Sequence, residues 1–422
     1  MIQSPLDDYL SYIGKTESPA IYHRWSLISC VAAVLERKVW FDWGHIGRVY
    51  PNMYVLLVGA PGTRKDTAIN AATKLLKLTE YKSFAPTRTT REKFLMDFEL
   101  GFCSTALDAT MKSAQDEFEH LFSNLIKPMD VKTSACFICV GEFIDFIGQK
   151  NVNFLNTLTV LWDNLQVYED KLKNSKSVKI IRPVQNILGG ITPSTFATGM
   201  PAEVIGTGFT SRVILAYSDP TNIRITYPAS PDVDKQQALV AMLKNASEMR
   251  GELKQTPAAR ALVDRIYQEG MPPNDIRLQY YFARRLAHLL KLCITISCMK
   301  GEMEMTADTV TEANTLLTYT ESNMHKALGE FGNAKFSEAA QKIMEFLGNA
   351  DGPVLVDSLW ECVSMNLDKY FQIFDVLDNL QKAGKISIAK ATEFHSVMLN
   401  KATLKENLPG VDYERYIKEA KI

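Results

Sequence analysis

The sequence predicts an α/β protein in which a parallel β-sheet is followed by a helical segment. From Pro51 to about Asp219, short apolar runs alternate with helical patterns, which is typical of a parallel sheet covered on both faces. From about 231 to 331 only helical periodicity is found. A chain of 422 residues that is 46% hydrophobic is long enough for two or three domains, so both patterns fit in one protein.

These patterns divide the chain into four predicted segments. Residues 1–50 contain the amphipathic stretch Trp25–Leu35 and form an N-terminal helical collar. Residues 51–230 form the α/β core, and residues 231–331 form an all-helical segment. After a break at Gly332-Asn333, residues 332–422 read as three short helices followed by a strand, a pattern that resembles a winged-helix module.

Charge and cysteine usage limit the classes of partner and compartment. Lys and Arg total 47 against 48 Asp and Glu, so a broad basic face is excluded and any electrostatic site must be local. The chain start lacks a basic and an apolar leader, and no run reaches about 20 apolar residues, so we expect a cytoplasmic protein without membrane contact. Cys136 and Cys139 lie in the apolar run ACFICV, which predicts a buried strand rather than a metal or redox site.

The main motif is a glycine-containing turn between an apolar strand and a helix. Backbone N–H groups of such a turn wrap phosphate oxygens, the helix N-terminus attracts the negative charge, and one lysine reaches the terminal phosphates. The predicted phosphate-binding residues are Gly59, Pro61, Gly62, Thr63, Arg64, Lys65, Asp66 and Thr67. The alternative is a surface turn that only joins a strand to a helix.

Two positions depart from the usual G-x-x-x-x-G-K-[ST] pattern. Arg64 stands where the second glycine is expected, and it must adopt a conformation that glycine adopts at lower cost. Asp66 stands where a magnesium-binding hydroxyl is expected, so either Asp66 or Thr67 is the candidate ligand for Mg²⁺.

With its Gly-x-Pro-Gly-x-Arg-Lys-x-Thr loop, the sequence resembles the AAA+ P-loop ATPases, and among them the helicase-like ATPases of phage and mobile-element replication modules. The resemblance covers roughly residues 20–330. It implies an AAA+ core with an all-α lid, ATP and Mg²⁺ as cofactors, and a hexamer-like ring that hydrolyses ATP between subunits.

The resemblance also implies roles for residues on the later strands. Glu142, after the strand ACFICV, matches the acid that polarises the attacking water, although the family usually has Asp where Gly141 stands. Asp145 is a second candidate. The alternative is that Glu142 only caps the following helix.

Three further residues complete the predicted catalytic set. Asn186 matches the sensor 1 residue at the γ-phosphate, or it satisfies a backbone group at the sheet edge. Arg212 matches an arginine finger acting on a neighbouring subunit, or it forms a surface salt bridge. In the lid, Arg285 is preferred over Arg284 as the sensor 2 arginine, and only one of them is expected to face the nucleotide because adjacent residues on a helix point about 100° apart.

Residues 167–182 carry five basic and two acidic residues and alternate around Asn174-Ser175, which predicts a β-hairpin. In the ring that the resemblance implies, Lys171, Lys173 and Lys176 would line the pore and bind single-stranded DNA. An ordinary solvated loop is the alternative. Residues 335–422 hold 11 basic and 13 acidic residues, so a replication protein partner suits this module better than duplex DNA.

The sequence therefore predicts a ring-forming ATP-dependent DNA helicase or translocase of phage-type replication. Two rivals stay open. One is an AAA+ remodeller or helicase loader that acts on a protein partner. The other is a hydrolysis-impaired nucleotide-binding protein, which the departures at Arg64, Asp66 and Gly141 make conceivable.

Overall fold

A computed structural model describes most of the chain. The described residues are 4–101, 133–171, 177–201, 208–270, 275–328, 335–350, 352–364, 370, 372–382, 384–390, 395–399 and 408–412. Their strands are β1 (Val39–Asp42), β2 (Arg48–Val49), β3 (Tyr54–Val58), β4 (Ala135–Val140), β5 (Val167–Lys171), β6 (Ser177–Ile181), β7 (Val184–Ile191), β8 (Val213–Tyr217), β9 (Gly251–Glu252), β10 (Lys254–Gln255), β11 (Glu304–Met305), β12 (Val354–Leu355), β13 (Ile386–Lys390) and β14 (His395–Leu399). Their α-helices are α1 (Pro5–Ile13), α2 (Ala20–Leu35), α3 (Lys65–Lys77), α4 (Arg91–Leu100), α5 (Phe143–Ile147), α6 (Val152–Trp162), α7 (Pro193–Gly199), α8 (Val233–Glu248), α9 (Pro257–Glu269), α10 (Gln279–Phe282), α11 (Arg285–Met299), α12 (Ala307–Leu328), α13 (Lys335–Gly348), α14 (Val356–Val363) and α15 (Gln372–Lys382).

The central sheet is parallel, with the strand order β4-β7-β3-β8. Every residue of β3 and of β7 is buried, as expected when helices cover both faces of a parallel sheet. The predicted α/β class with a parallel sheet is therefore confirmed. Cys136 and Cys139 both lie on β4, as the strand prediction required.

The carboxyl ends of the four strands meet at one edge of the sheet. Val58, the last residue of β3, pairs with Ile191 of β7 and with Tyr217 of β8. The residues that directly follow the four strands define what we call the carboxyl edge: Gly59, Gly141 with Glu142, Thr192 and Ser218.

The opposite edge holds the starts of the strands, and we call it the amino edge. Tyr54 pairs there with Val213, the first residue of β8, which Arg212 directly precedes. The main-chain N–H of Met53 donates to the Asn186 side chain near the start of β7. The two edges are separated by the length of the strands.

Helix starts in this part of the chain follow local capping chemistry. Thr192 accepts a hydrogen bond from the N–H of Thr195 at the start of α7, and Pro193 occupies the first helical position. Thr306 accepts from the N–H of Thr309 at the start of α12.

One hydrophobic core joins the N-terminal helices, the sheet and the helical segment. It runs through the chain from Leu6 to Leu328. Helix α2 is buried from Ile21 to Leu35 and packs on α3, while α12 packs on β8. The predicted boundaries near residues 50 and 230 therefore do not separate independent cores. Within the described residues, no helix is long and apolar enough to cross a bilayer.

The C-terminal part has a core of its own. Helices α13, α14 and α15 pack around Ile343, Leu359 and Leu377, beside an antiparallel sheet with the order β12-β14-β13. The three predicted helices and the predicted strand are all present in this region. The later residues Pro409 and Gly410 return to α12, where their carbonyl groups accept hydrogen bonds from Asn314.

Candidate functional site

The loop of residues 59–64 joins β3 to α3 at the carboxyl edge, and its glycines are needed for different reasons. A Cβ atom on Gly59 would lie 2.3 Å from the Tyr22 hydroxyl oxygen, so any side chain there would collide. Gly62 has a φ of +84°, which glycine adopts without strain. The turn therefore depends on close approach at one glycine and on backbone conformation at the other.

Arg64 has the left-handed conformation that the sequence departure required, with φ 59° and ψ 35°. Its guanidinium donates to the Glu17 carboxylate, with N–O distances of 2.8 Å, and its carbonyl accepts from the Ser18 hydroxyl at 2.9 Å. Glu17 also accepts from the N–H of Ile225, which together with Arg64 lowers the pKa of Glu17. The N-terminal segment thus fixes the loop from outside.

Lys65 begins α3 and turns its ammonium group back into the loop. Its Nζ atom donates to the carbonyl groups of Gly59 at 2.8 Å and Ala60 at 3.2 Å. Burial lowers the pKa of Lys65, and the neighbouring carboxylates of Glu142 and Asp66 oppose that change. Because the first N–H groups of a helix lack intrahelical partners, a buried cation at this position favours the binding of an anion.

Glu142 faces the same site from the end of β4. It stands at the N-cap position of α5, yet its side chain accepts no capping hydrogen bond, which argues against a purely capping role. Burial raises the pKa of Glu142, Lys65 opposes the rise, and Asp66 and Asp145 add to it. A carboxyl group with a raised pKa beside an anion site suits proton transfer.

The donor set fits a metal ion that arrives with a nucleotide. Among the described residues, no group of three or more His, Cys, Asp or Glu side chains could hold a metal by itself. Magnesium at phosphate sites needs only one or two carboxylates, since water and phosphate oxygens supply the other ligands. Asp66, Thr67 and Glu142 at this edge meet that requirement.

Asn186 lies at the amino edge, which does not fit its predicted role at the γ-phosphate. Its side-chain oxygen accepts from the N–H of Met53 at 2.9 Å, and the residue is buried. Five residues along β7 separate it from Ile191, roughly 17 Å of extended strand. The alternative interpretation, a backbone hydrogen bond at the sheet edge, matches this position.

Thr192 is the polar residue that β7 delivers to the carboxyl edge. It directly follows Ile191, whose carbonyl accepts from the N–H of Gly59 at 3.3 Å. Its hydroxyl lies 3.0 Å from the Ser194 hydroxyl oxygen. The motif around Asn186 already contained Thr192, and counting residues to the carboxyl end of the strand would have singled it out.

Arg212 lies at the amino edge with its guanidinium engaged inside its own chain. The group donates to both carboxylate oxygens of Asp163, at 3.0 and 2.7 Å, and to the carbonyl of Gly208 at 3.0 Å. Only 8% of the side chain is exposed. The alternative interpretation of Arg212, a salt bridge, matches its pairing with Asp163, although the arginine side of this pair is buried. An arginine finger must reach a neighbouring subunit, and in this structure the Arg212 side chain is not at the surface.

Arg285 belongs to a buried polar network, which does not fit a sensor 2 role. It donates to Glu321 at 2.8 Å, to Asn314 at 2.8 Å and to Thr318 at 3.0 Å. Arg284 is partly exposed instead, and its guanidinium lies 5.9 Å from the ring centroid of Trp162.

Lys326 is a cation of the helical segment near the carboxyl edge, and the sequence interpretation did not consider it. It lies near the end of α12, with its Nζ atom 3.5 Å from the Asp219 carboxylate and 5.8 Å from the ring centroid of Tyr217. Tyr217 ends β8, so this cation is at the carboxyl edge. Its position on the predicted helix gave no signal, because the contact depends on how α12 packs on the sheet.

The predicted hairpin is present as the antiparallel pair β5 and β6. Lys171 pairs with Ser177, the pair nearest the connecting residues, and is exposed, while Glu169 and Lys179 form an ion pair across the strands at 3.2 Å. Lys173 and Lys176 lie outside the described residues.

No protein-family model matches this chain, and no curated protein matches it. The family resemblance rests on the ordered motifs, and the geometry defines a class of site independently of it. That class is a glycine-containing loop between a strand and a helix at the carboxyl edge of a parallel sheet, with a buried lysine and carboxylates beside it, a geometry suited to an anion.

Proposed function

We propose that the chain binds ATP with Mg²⁺ at the carboxyl edge and hydrolyses the terminal phosphate. The observation that carries this proposal is that Glu142 and Thr192 follow the ends of two neighbouring parallel strands, while Lys65 begins the helix after the loop at the end of the third. A glycine loop that opens a helix at the same edge supplies the N–H groups for the phosphates.

Each side chain has a distinct task in the proposed reaction. Lys65 binds the β- and γ-phosphates, exchanging its bonds to loop carbonyls for bonds to phosphate oxygens. Glu142 orients the attacking water and accepts its proton. Thr192 donates its hydroxyl to the γ-phosphate in place of Asn186. Mg²⁺, held by Asp66 or Thr67, supplies charge neutralisation when bound.

We further propose that the protein is an AAA+ ATPase that assembles as a hexamer-like ring. The order of the motifs supports this, as does a strand order that sets β3 between β7 and β8, with the helical segment against β8. A residue that completes a neighbour's site must lie away from its own loop, and both Arg212 and Arg284 meet this condition. Arg212 must leave Asp163 to act, whereas Arg284 is already partly exposed.

Within that ring the proposed substrate is single-stranded DNA, and the activity is that of a phage-type replicative helicase or translocase. The support is the β5–β6 hairpin with its exposed Lys171 and the cationic sequence between its strands. We assign the C-terminal helices and sheet to a winged-helix-like module that contacts a replication protein.

The test is ATP hydrolysis with and without single-stranded DNA, followed by unwinding of tailed duplexes. The variants are Lys65→Ala and the triple Lys171/Lys173/Lys176→Ala. We expect Lys65→Ala to abolish both activities, and the triple variant to keep basal hydrolysis while losing DNA stimulation and unwinding. Normal unwinding by the triple variant would refute the pore assignment.

A second candidate is a protein remodeller or helicase loader. The acidic balance of residues 335–422 and the acidic residues Glu169 and Asp170 on the hairpin favour a protein partner. In that case ATP is hydrolysed, but single-stranded DNA leaves the rate unchanged.

A further inference from the structure

The space above Gly141 is already filled by another side chain. A Cβ atom built on Gly141 would lie 2.5 Å from Oδ1, 3.3 Å from Cγ and 3.7 Å from Oδ2 of Asp66. These are the three atoms nearest to that position, so Asp66 alone restricts it. Gly141 is not among the glycines with left-handed φ angles, so its backbone does not require glycine, but a side chain there would require the Asp66 carboxylate to move.

The two departures from the family pattern therefore occur at one place in the molecule. Gly141 stands where the resembling family has a metal-supporting Asp, and Asp66 stands where that family has a hydroxyl. Asp66 brings a carboxylate from α3 to the point where a side chain on residue 141, directly after β4, would begin. Carboxylates at both residues would need the same volume.

We propose that Asp66 takes over the metal-supporting role of the missing residue 141 carboxylate, so that the Mg²⁺ of the bound nucleotide is held from helix α3 instead of strand β4. This inference rests on the proposed function, because it presumes that the loop binds ATP with its metal. It selects Asp66 over Thr67 as the ligand.

The local geometry and charges support Asp66 in this choice. Asp66 points at Gly141, and Thr67 follows it on α3, about 100° further around the helix axis. The carboxylates of Asp66, Glu142 and Asp145 also act on one another here, and the cation of Lys65 opposes them. Nucleotide phosphates add more negative charge, so a divalent cation is needed where the carboxylates meet them.

A reciprocal exchange tests the inference through binding rather than turnover. ATP affinity is measured by calorimetry with Mg²⁺ and with EDTA, for wild type, Asp66→Ser, Gly141→Asp and the double variant. We expect the gain in affinity from Mg²⁺ to fall by roughly tenfold or more in Asp66→Ser, as when a metal-supporting group is lost. Gly141→Asp should lose a similar amount because its side chain displaces Asp66, and the double variant should recover most of the gain.

Thr67→Ala separates the two candidate ligands: whatever its effect on ATP affinity itself, we expect the gain in affinity from Mg²⁺ to stay that of wild type. The inference is overturned if Asp66→Ser keeps that gain, or if Thr67→Ala loses it instead. The contrast between these two variants decides the matter even if Gly141→Asp fails to fold. Failure of the proposed function looks different, because wild type would then not bind ATP or Lys65→Ala would bind it as tightly.

Discussion

Arg64 holds a left-handed backbone conformation where phosphate loops usually have glycine, and its neighbours show how the chain tolerates it. Glu17 binds its guanidinium and Ser18 binds its carbonyl, so both ends of the residue are fixed by the N-terminal segment. Non-glycine residues in this conformation are unfavourable unless surrounding contacts hold them there. Its partners lie 46 and 47 positions away and could not be found from the loop sequence.

Arg64→Gly tests whether Glu17 supports ATP binding and stability through its contact with Arg64. Glycine adopts the same conformation without strain, so we expect Arg64→Gly to keep ATP affinity within about threefold of wild type. Glu17→Gln should weaken ATP binding and thermal stability only while Arg64 is present. The measurement is a double-mutant cycle of both variants, and equal effects of Glu17→Gln in both backgrounds would contradict the expected coupling.

The assignment of the γ-phosphate contact to Thr192, with a structural role for Asn186, gives a second prediction. Thr192→Val should lower the turnover number by at least about tenfold, whereas Thr192→Ser, which keeps the hydroxyl, should stay near wild type. Asn186→Leu should instead destabilise the fold by about 1–3 kcal/mol, because the buried N–H of Met53 loses its partner. Steady-state kinetics and urea unfolding separate the two effects, and a turnover loss confined to Asn186→Leu would reverse the assignment.

At the scale of elements, apolar periodicity predicted the parallel sheet, the hairpin and the helical segment. It could not decide which end of a strand faces the site, and Asn186 was misassigned for that reason. A polar residue inside a strand stands out in sequence, whereas Thr192 looks like an ordinary helix cap. The packing of α11 and α12 likewise decides that Arg285 is enclosed and that Lys326 reaches the carboxyl edge.

Lys171 on the hairpin gives a prediction about the binding of single-stranded DNA. Lys171→Ala should reduce the stimulation of ATP hydrolysis by single-stranded DNA and lower the salt slope of DNA binding by roughly 0.7 per lost phosphate contact. Lys254→Ala is the matched control, because Lys254 is an exposed strand lysine that pairs with Glu252. Equal losses in both variants would mean that charge in general, rather than the hairpin, binds the DNA.

At the scale of the whole molecule, one core links the N-terminal helices to the sheet and to the helical segment, and it encloses ionisable groups. Burial lowers the pKa values of His23 and His288 to about 4 and that of Lys291 to about 7. The net charge of −1 was uninformative about these groups, because it counts residues without locating them. Because both histidines are buried in the folded chain, their protonation at low pH opposes folding.

The two buried histidines predict that the folded protein becomes less stable as the pH falls. Their folded pKa values lie below the ordinary 6.5, so the unfolded chain binds more protons and stability is lost as pH falls from 6.5 towards 4. The loss should reach up to about 1.4 kcal/mol per pH unit for each histidine. Urea unfolding across this range measures it. His23→Phe should make the dependence shallower, while His45→Phe at an exposed position should not, and an unchanged slope in His23→Phe would contradict the argument.

The central claim is that the carboxyl edge is a site of ATP hydrolysis, and Glu142→Gln tests it most directly. ATP binding and turnover are measured on the same preparations of wild type and variant. We expect Glu142→Gln to bind ATP within about threefold of wild type while its turnover falls by about 100-fold or more, since only the water-activating base is lost. Turnover at the wild-type rate in Glu142→Gln, or no turnover in wild type, would contradict the claim.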